Sequence, residues 1–329
     1  MKKTFEQKIK DTFKEFQYHD PTKYRRHEKK YYADFVELLA LCDAESDVTF
    51  ADVHDRLFGE RESPKEEDDG QIGSLEGQTE DNNEIFVGEV FRLIEERANL
   101  YQDGYPFNYM HRKIRLKAEI TFKNKLYISL LLSSSLDILA DFQKELTDEF
   151  ETLCFHVLKD FLPDQSEVKE FGQNTTYTGN AKSKINQLAS ELKLPIESDE
   201  LEEISDRNYK ERGLDIIGWI PFDDDCQNKL VFLGQCTCGK DTNSKFHDVR
   251  RFKNYMRFYR LKPVFVLFTC HSLLNISNNK FYKSAEIEDG FLIFERKRIM
   301  QHFKEEAIFN SLESNNIVNS YIEFQEDIV

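Results

Sequence analysis

The chain lacks long apolar runs, although 40% of its 329 residues are hydrophobic. Its longest apolar stretch, from Leu126 to Leu136, is interrupted by serines and followed by Asp137, so it falls well short of the roughly 20 apolar residues that a membrane-spanning helix needs. The first residues are charged and contain no apolar segment of the kind found in a secretory signal peptide. We therefore expect a globular, cytoplasmic protein with no membrane span.

Cysteine is also scarce, and several common site motifs are missing. The six cysteines are scattered, which does not indicate a disulfide framework and is consistent with a reducing compartment. The sequence has no GxxxxGK[ST] phosphate loop, no GxGxxG after a strand and no HExxH histidine pair. Nucleotide binding by those loops is excluded, so a partner would have to supply any nucleotide hydrolysis.

Positive charge is in the minority, with 45 lysines and arginines against 61 aspartates and glutamates and a net charge of −16. Because phosphate binding depends on clustered lysine and arginine, this balance argues against a protein whose whole surface clamps a polyanion. The charges are unevenly placed, however. Residues 60–84 hold ten acids and two bases, whereas residues 239–262 hold eight bases and two acids. A local basic surface is therefore expected within an acidic protein.

The apolar pattern divides the chain into two parts. Residues 1–143 are predicted to form a mostly helical module for recognition or partner binding, with a short strand near 114–120. Within it, the acidic segment 60–84 is rich in Gly, Ser and Asn, which predicts a disordered loop or linker. The predicted helices lie at 31–41, 50–58, 85–100 and 126–139.

Residues 144–329 are predicted to form an α/β domain, because short apolar strands alternate with amphipathic helices. The first helix begins at Thr147, a good capping residue, and extends to Phe161. The elements that follow are a strand at 167–171, a helix at 181–192, strands at 214–220 and 230–234, a helix at 243–259 and a strand at 264–269.

Two polar residues stand out within these strands. Asp215 lies in GLDIIGW, where its neighbours are apolar or glycine, and Gln235 follows twenty residues later at the end of the next strand. Paired strands would bring the two side chains together. Mg²⁺ binds hard oxygen ligands and usually takes only one or two protein carboxylates, with water and substrate oxygens completing its shell. Asp215 and Gln235 are therefore candidate metal ligands.

The order of these elements resembles the PD-(D/E)xK nuclease superfamily, within it the restriction and phage-defence branches in which Gln replaces the second acid. The resemblance covers about residues 145–272 and implies a restriction-endonuclease-like mixed sheet flanked by helices. It implies that Asp215, Gln235, Glu151 on the preceding helix and the main-chain carbonyl of Cys236 hold Mg²⁺ or Mn²⁺. The activity that it implies is metal-dependent cleavage of DNA.

One position departs from that pattern. The lysine expected two residues after the second acid is replaced by Thr237. That lysine normally positions the attacking water and offsets charge that develops on the phosphate. Lys240, in the turn after the strand, and Lys245, in the first turn of the next helix, could replace it. Lys245 is favoured because it shares a helix face with apolar residues that point toward the sheet.

The predicted helix 243–259 also carries basic residues at spacings of three, four and three, which would place them on one stripe. This stripe could follow a DNA backbone. The alternative is an ordinary solvated face. The residues concerned are Arg250, Lys253, Arg257 and Arg260.

The leading hypothesis is a Mg²⁺-dependent DNA endonuclease or effector nuclease of a bacterial restriction or antiphage system. The acidic total suggests that it acts with a partner protein, such as a helicase, an ATPase or a sensor subunit, and an oligomer is also compatible with the sequence. One alternative is a catalytically inactive nuclease-fold module that binds DNA or acts as a scaffold.

Two structural readings of the same residues stay open. Asp215 could be a buried acid paired with Arg207 or Arg212. A zinc-stabilised interaction domain could be built from scattered thiols and one histidine, although the spacing lacks the usual CxxC knuckle. The zinc candidates are Cys226, Cys236, Cys238, Cys270 and His271.

Overall fold

The computed structural model describes residues 3–18, 29–43, 47–58, 73–172, 175–207, 213–240, 243–282, 284, 287 and 289–323. The chain forms two compact units. The first comprises Met1–Phe142 and Asn315–Val329, and the second comprises Gln143–Ser314. The segment from Asn315 onward, which the sequence analysis assigned to the second domain, therefore belongs to the first unit.

The first unit combines helices with a small three-stranded sheet in the order β1-β3-β2, in which both pairings are antiparallel. The helical N-terminal region predicted from the sequence is confirmed. The elements are α1 (Phe5–Tyr18), α2 (Lys29–Cys42), β1 (Val48–Thr49), α3 (Phe50–Phe58), α4 (Gly73–Tyr101), β2 (Phe107–Met110), β3 (Lys113–Leu116) and α5 (Phe122–Ser133).

The prediction of a disordered loop at 60–84 is wrong for its second half, because α4 already begins at Gly73. Extending a helix adds one hydrogen bond for each residue fixed, whereas starting one is costly, so a polar segment can continue an established amphipathic helix. Residues 59–72 lie outside the described residues. No described helix is long and apolar enough to cross a membrane.

The second unit begins with a long amphipathic helix and continues with alternating strands and helices. The elements are α6 (Gln143–Phe161), β4 (Glu167–Glu170), α7 (Ala181–Leu192), α8 (Ser198–Glu202), β5 (Ile216–Trp219), β6 (Val231–Thr237), α9 (Asn243–Phe252), β7 (Val264–Thr269), β8 (Leu274–Asn275), β9 (Lys280–Phe281), β10 (Phe291–Phe294), α10 (Arg296–His302), α11 (Glu306–Ser311) and α12 (Glu313–Glu323), which continues into the first unit.

A five-stranded mixed sheet forms the centre of this unit, in the order β10-β7-β6-β5-β4. β5 pairs antiparallel with β4 on one side and with β6 on the other. β6 pairs parallel with β7, and β7 pairs parallel with β10. Helices flank the sheet, so the predicted α/β class with a mixed sheet is confirmed. The last residues of β6 and β7 lie at the same end of the sheet as the first residue of β5. We call this end of the sheet the Asp215 end.

The two faces of the sheet are covered by different helices. On one face, Leu158 and the nearby Leu162 approach Gly218 so closely that a Cβ atom there would lie 3.3 and 3.0 Å from them. On the other face, Leu233 of β6 belongs to a buried apolar cluster with residues of α7 and α9, such as Val249. Along β6, successive side chains alternate between these two faces.

Helix α9 ends at Phe252, not at residue 259 as the sequence pattern predicted. A short 3-10 turn follows, and the chain then becomes extended at Met256, which forms an isolated β-bridge with Ile196. The N–H of Arg257 donates to the carbonyl of Pro195 at 2.8 Å. These contacts with a segment distant in sequence stop the helix, although its apolar periodicity continues.

Candidate active site

Asp215 lies immediately before β5, at the point where this strand meets the end of β6. Its N–H donates to the carbonyl of Gly234 at 3.0 Å, and the residue that follows it, Ile216, pairs with Gly234. Oδ2 of Asp215 accepts a 2.7 Å hydrogen bond from the N–H of Cys236. The strand pairing therefore holds the carboxylate against the backbone of β6.

A β-bulge shapes the neighbouring strand at the same point. The N–H groups of Phe171 and Gly172 both donate to the carbonyl of Asp215, at 2.7 and 3.0 Å, so two residues after β4 oppose one residue before β5. Bulges of this kind bend a strand and redirect its side chains, and they are frequent beside active sites. This bulge brings Gly172 next to the Asp215 carboxylate.

The space above Gly172 is shared by two carboxylates. A Cβ atom added at Gly172 would lie 2.7 Å from Oε2 of Glu151 and 3.4 Å from Oδ1 of Asp215. Glu151 comes from α6, on the opposite face of the sheet from α9, and reaches the site at this end. Two residues that are 64 positions apart in sequence are thereby brought together.

Gln235 lies next to this group in the chain, because it precedes Cys236, whose N–H binds the Asp215 carboxylate. Its side chain is only 4% exposed, and its Oε1 atom is buried without a hydrogen-bond partner in the part of the chain that the structure describes. Leaving a buried polar atom unsatisfied costs roughly 1–3 kcal/mol. Gln235 shares its face of β6 with Leu233 and Thr237, which is the face that α9 covers.

Buried thiols lie behind the carboxylates. Burial is the main cause that raises the pKa of Cys154 and of Cys236, whose thiols are hydrogen-bonded to each other, and the charges of Asp215 and Glu151 raise it further. Hydrogen bonding with Cys270, followed by burial, raises the pKa of Cys238. These groups are therefore held as neutral thiols in apolar surroundings.

The zinc hypothesis is not supported by this arrangement. Cys226 is exposed in the loop between β5 and β6, at the opposite end of those strands from Cys236 and Cys238. Among the described residues, no group of three or more His, Cys, Asp or Glu side chains could hold a metal ion.

Of the two candidate lysines, Lys245 lies on the helix that covers the Gln235 face. Gly213 has a φ of +88°, and a Cβ atom there would lie 2.6 Å from Cβ of Asp248 on α9. Residues three apart on a helix are neighbours on its surface, so the surface that carries Lys245 and Asp248 packs beside the chain leading into Asp215. Lys240 is half-buried in the turn after β6.

The proposed basic stripe on α9 does not form. Arg257 and Arg260 follow the end of the helix and lie near the start of β7, at the opposite end of the sheet from Asp215. Arg257 forms hydrogen bonds of 2.6 and 3.0 Å with the Glu197 carboxylate. A strand of seven residues is about 20 Å long, so these arginines are remote from the candidate site.

The other two members of the stripe are also placed differently from the prediction. Arg250 donates to the carbonyl of Asp289 at 2.7 Å and lies over the ring of Phe291. Lys253 is exposed on the 3-10 turn. The stripe was inferred from a helix that continues to residue 259, and it fails because the helix is shorter.

The structural alternative for Asp215 is not supported by Arg207, which is exposed, and Arg212 lies outside the described residues. Gly172 and Gly213 give the site its shape and were not predicted from the sequence. The signal that could have found them is a glycine beside the end of each strand that borders Asp215. Comparison of the chain with protein-family models, with curated proteins and with solved structures returns no match.

Proposed function

We propose that this chain is a DNA endonuclease of the restriction-endonuclease-like, PD-(D/E)xK type that uses Mg²⁺ or Mn²⁺. The observation that carries the proposal is the proximity of the Asp215 and Glu151 carboxylates at Gly172, with the buried Gln235 one residue before Cys236, whose N–H binds Asp215. The order α6, β4, β5, β6, α9 and β7 supports the family resemblance. Its setting would be a bacterial restriction or antiphage system, together with a helicase, ATPase or sensor partner.

The donor set fits a hard divalent cation. Carboxylate and amide oxygens are the ligands that Mg²⁺ and Mn²⁺ prefer, and Asp215, Glu151 and Gln235 would hold the ion, with the main-chain carbonyl of Cys236 as a further donor. Such an ion activates a water molecule and polarises a phosphate. The neutral thiols behind the site provide an apolar wall, which strengthens electrostatic interactions at the carboxylates.

Lys245 is the residue we assign to the missing lysine's role. Gln235 faces the layer that contains α9, and Lys245 lies in the first turn of this helix, at the Asp215 end. Its ammonium group would orient the attacking water and offset the charge that develops on the phosphate. Thr237, two residues after Gln235, is 5% exposed and too short to compete for this space.

The experiment is a plasmid cleavage assay with Mg²⁺ and with Mn²⁺, on the wild type and on Asp215→Asn. The amide keeps an oxygen that can accept the N–H of Cys236, so the fold should be retained while cleavage falls at least about 100-fold. Asp164→Asn is the matched control, because this aspartate is exposed in the turn after α6. Equal cleavage by wild type and Asp215→Asn would refute the assigned site.

A second candidate function is a catalytically inactive nuclease-fold module that binds DNA or acts as a scaffold, and the observation that favours it is Thr237 in the lysine's place. DNA binding without cleavage in either metal would support this alternative. For an active enzyme, Lys245→Ala should reduce cleavage more than Lys240→Ala. The reverse order would assign the catalytic lysine to the turn.

A further inference from the structure

A short β-hairpin follows β7 and stands at the Asp215 end of the sheet. β8 and β9 pair through Leu274 with Phe281 and through Asn275 with Lys280. Its base is tied to the core, because the N–H of Leu273 donates to the buried Glu295 carboxylate at 3.2 Å. Leu273 and Phe281 also pack in the apolar cluster that contains Phe246, the residue after Lys245. The hairpin therefore stands beside the first turn of α9.

The hairpin tip, which we define as residues Ile276–Lys280, consists of five consecutive exposed residues. It is organised by its own side chains. The N–H of Ser277 donates to Oδ1 of Asn275 at 2.9 Å, and the N–H of Lys280 donates to Oδ1 of Asn278 at 3.0 Å. Asn279 occupies the left-handed region with a φ of +53°, which asparagine tolerates better than most residues. The tip is thus shaped before it meets any ligand.

The chemistry of the tip suits a polyanion. Its polar groups are amides, a hydroxyl and an ammonium, and it contains no carboxylate. The tip lies within residues 249–285, a stretch of 37 residues without any Asp or Glu in a chain that has 61 acids among 329 residues. Ile276 is its single large apolar side chain, so the tip offers little area for an apolar protein interface.

We propose that the hairpin tip contacts duplex DNA next to the phosphate that is cleaved, with Lys280 on a phosphate and the asparagine amides on groove edges. This inference rests on the proposed function. A two-stranded β-ribbon fits the major groove, where asparagine amides can read base edges. This position would also allow an acidic chain to bind DNA. The hairpin contains no acid and lies beside the site, whereas the arginines beyond α9 lie at the opposite end of the sheet.

The test uses isosteric charge changes and a metal-free binding assay on a labelled duplex, so that cleavage does not interfere. Asn278→Asp keeps the oxygen that accepts the N–H of Lys280, and Asn279→Asp keeps a residue that tolerates positive φ. The matched control is Asn228→Asp, which makes the same change at an exposed position in the β5–β6 loop, at the opposite end of the sheet.

Asn278→Asp and Asn279→Asp should each weaken DNA binding about tenfold, the loss expected for one good groove contact, while the Asn228→Asp control binds like the wild type. Lys280→Ala should flatten the slope of log affinity against log salt by about one, as expected for one lost phosphate contact.

Wild-type affinity and salt slope in the tip variants, with DNA binding intact, would overturn the hairpin proposal and leave the proposed function standing. Equal weakening by the Asn228→Asp control would overturn it too, because the effect would then be general electrostatics. No DNA binding by the wild type, with or without metal, would overturn both proposals. If the wild type cleaves DNA and the tip variants bind DNA as tightly as the wild type, the hairpin proposal fails and the proposed function does not.

Discussion

Gly172→Ala is the substitution that probes the shared carboxylate space most directly. The new Cβ atom would lie 2.7 Å from Oε2 of Glu151, closer than the 3.0 Å that real Cβ contacts essentially always exceed. The carboxylate of Glu151 must therefore move. Because this oxygen ends a flexible side chain, the cost should be well below the roughly 1–3 kcal/mol of overpacking a rigid core. Alanine also reduces the entropy of the unfolded chain, by about 0.4–1 kcal/mol, which offsets part of the loss.

The effect on function should be much larger than the effect on stability. A displacement of about 1 Å in a catalytic arrangement can lower the rate about 100-fold, and we expect a loss of that size in the cleavage assay. Mn²⁺ binding, measured by titration calorimetry, should weaken in parallel. The thermal unfolding midpoint should stay close to the wild-type value.

Gly218→Ala is the matched control, because it makes the same change on β5 at the opposite end of the sheet. Its Cβ atom would lie 3.0 Å from Cδ1 of Leu162 and 3.3 Å from Cδ2 of Leu158, in packed apolar surroundings. We expect this variant to lose stability and to keep the cleavage rate per folded molecule. The two glycine variants should thus show opposite patterns.

A double-mutant cycle identifies the residue through which Gly172→Ala acts. If the new methyl group acts by displacing Glu151, then Gly172→Ala added to Glu151→Ala should cause little further loss of cleavage, because the displaced group is already gone. Wild-type cleavage and metal binding by a folded Gly172→Ala variant would refute the assignment of this space to a metal ion.

Three further predictions concern stability. Arg97 lies 2.8 Å from the buried carboxylate of Asp34 and 3.0 Å from that of Glu37. Arg97→Met leaves both carboxylates without this cation and should lower the free energy of unfolding, measured in urea, by about 3–5 kcal/mol. A decrease below about 1 kcal/mol would contradict this. His111→Asn should raise the melting temperature, since His111 has a φ of +52°. Burial raises the pKa of Glu295, so the contribution of this residue to the free energy of unfolding is present at low pH and is lost as pH rises through the folded pKa. Glu295→Gln should remove this dependence of stability on pH.

The elements of the second unit were largely predictable, because they are encoded in local apolar patterns. α7 and β7 have the bounds that the sequence predicted, and β5 and β6 lie where apolar residues cluster. β6 extends to Thr237, three residues beyond the predicted end at Gly234, so Gln235 lies inside the strand and Cys236 pairs with Phe268 of β7. The polar Gln235 is part of the central strand β6 because the parallel pairing with β7 continues past Gly234.

The features that escaped prediction depend on contacts between distant segments. The end of α9 is set by the pairing of Met256 with Ile196, which no pattern within the helix reveals. The bulge at Gly172 forms because the N–H groups of Phe171 and Gly172 both donate to the carbonyl of Asp215, a residue far away in the sequence. Likewise, the sequence could suggest that Asp215 and Gln235 meet, since they lie on successive strands, but the approach of Glu151 depends on how α6 packs on the sheet.

Thr237, which departs from the expected motif, and Gly213, which the structure shows packed against α9, can be explained by one arrangement. At Gly213 the backbone of Asp248 would come within 3.1 Å of an added Cβ atom, so glycine allows α9 to lie closer to the chain before β5 than any side chain would permit. A helix this close can deliver Lys245 to the face of β6 that carries Gln235. A lysine at position 237 would enter the same layer from the strand and crowd this approach. The short side chain of Thr237 and the absence of one at Gly213 are therefore both consistent with a basic group supplied by the helix instead of the strand.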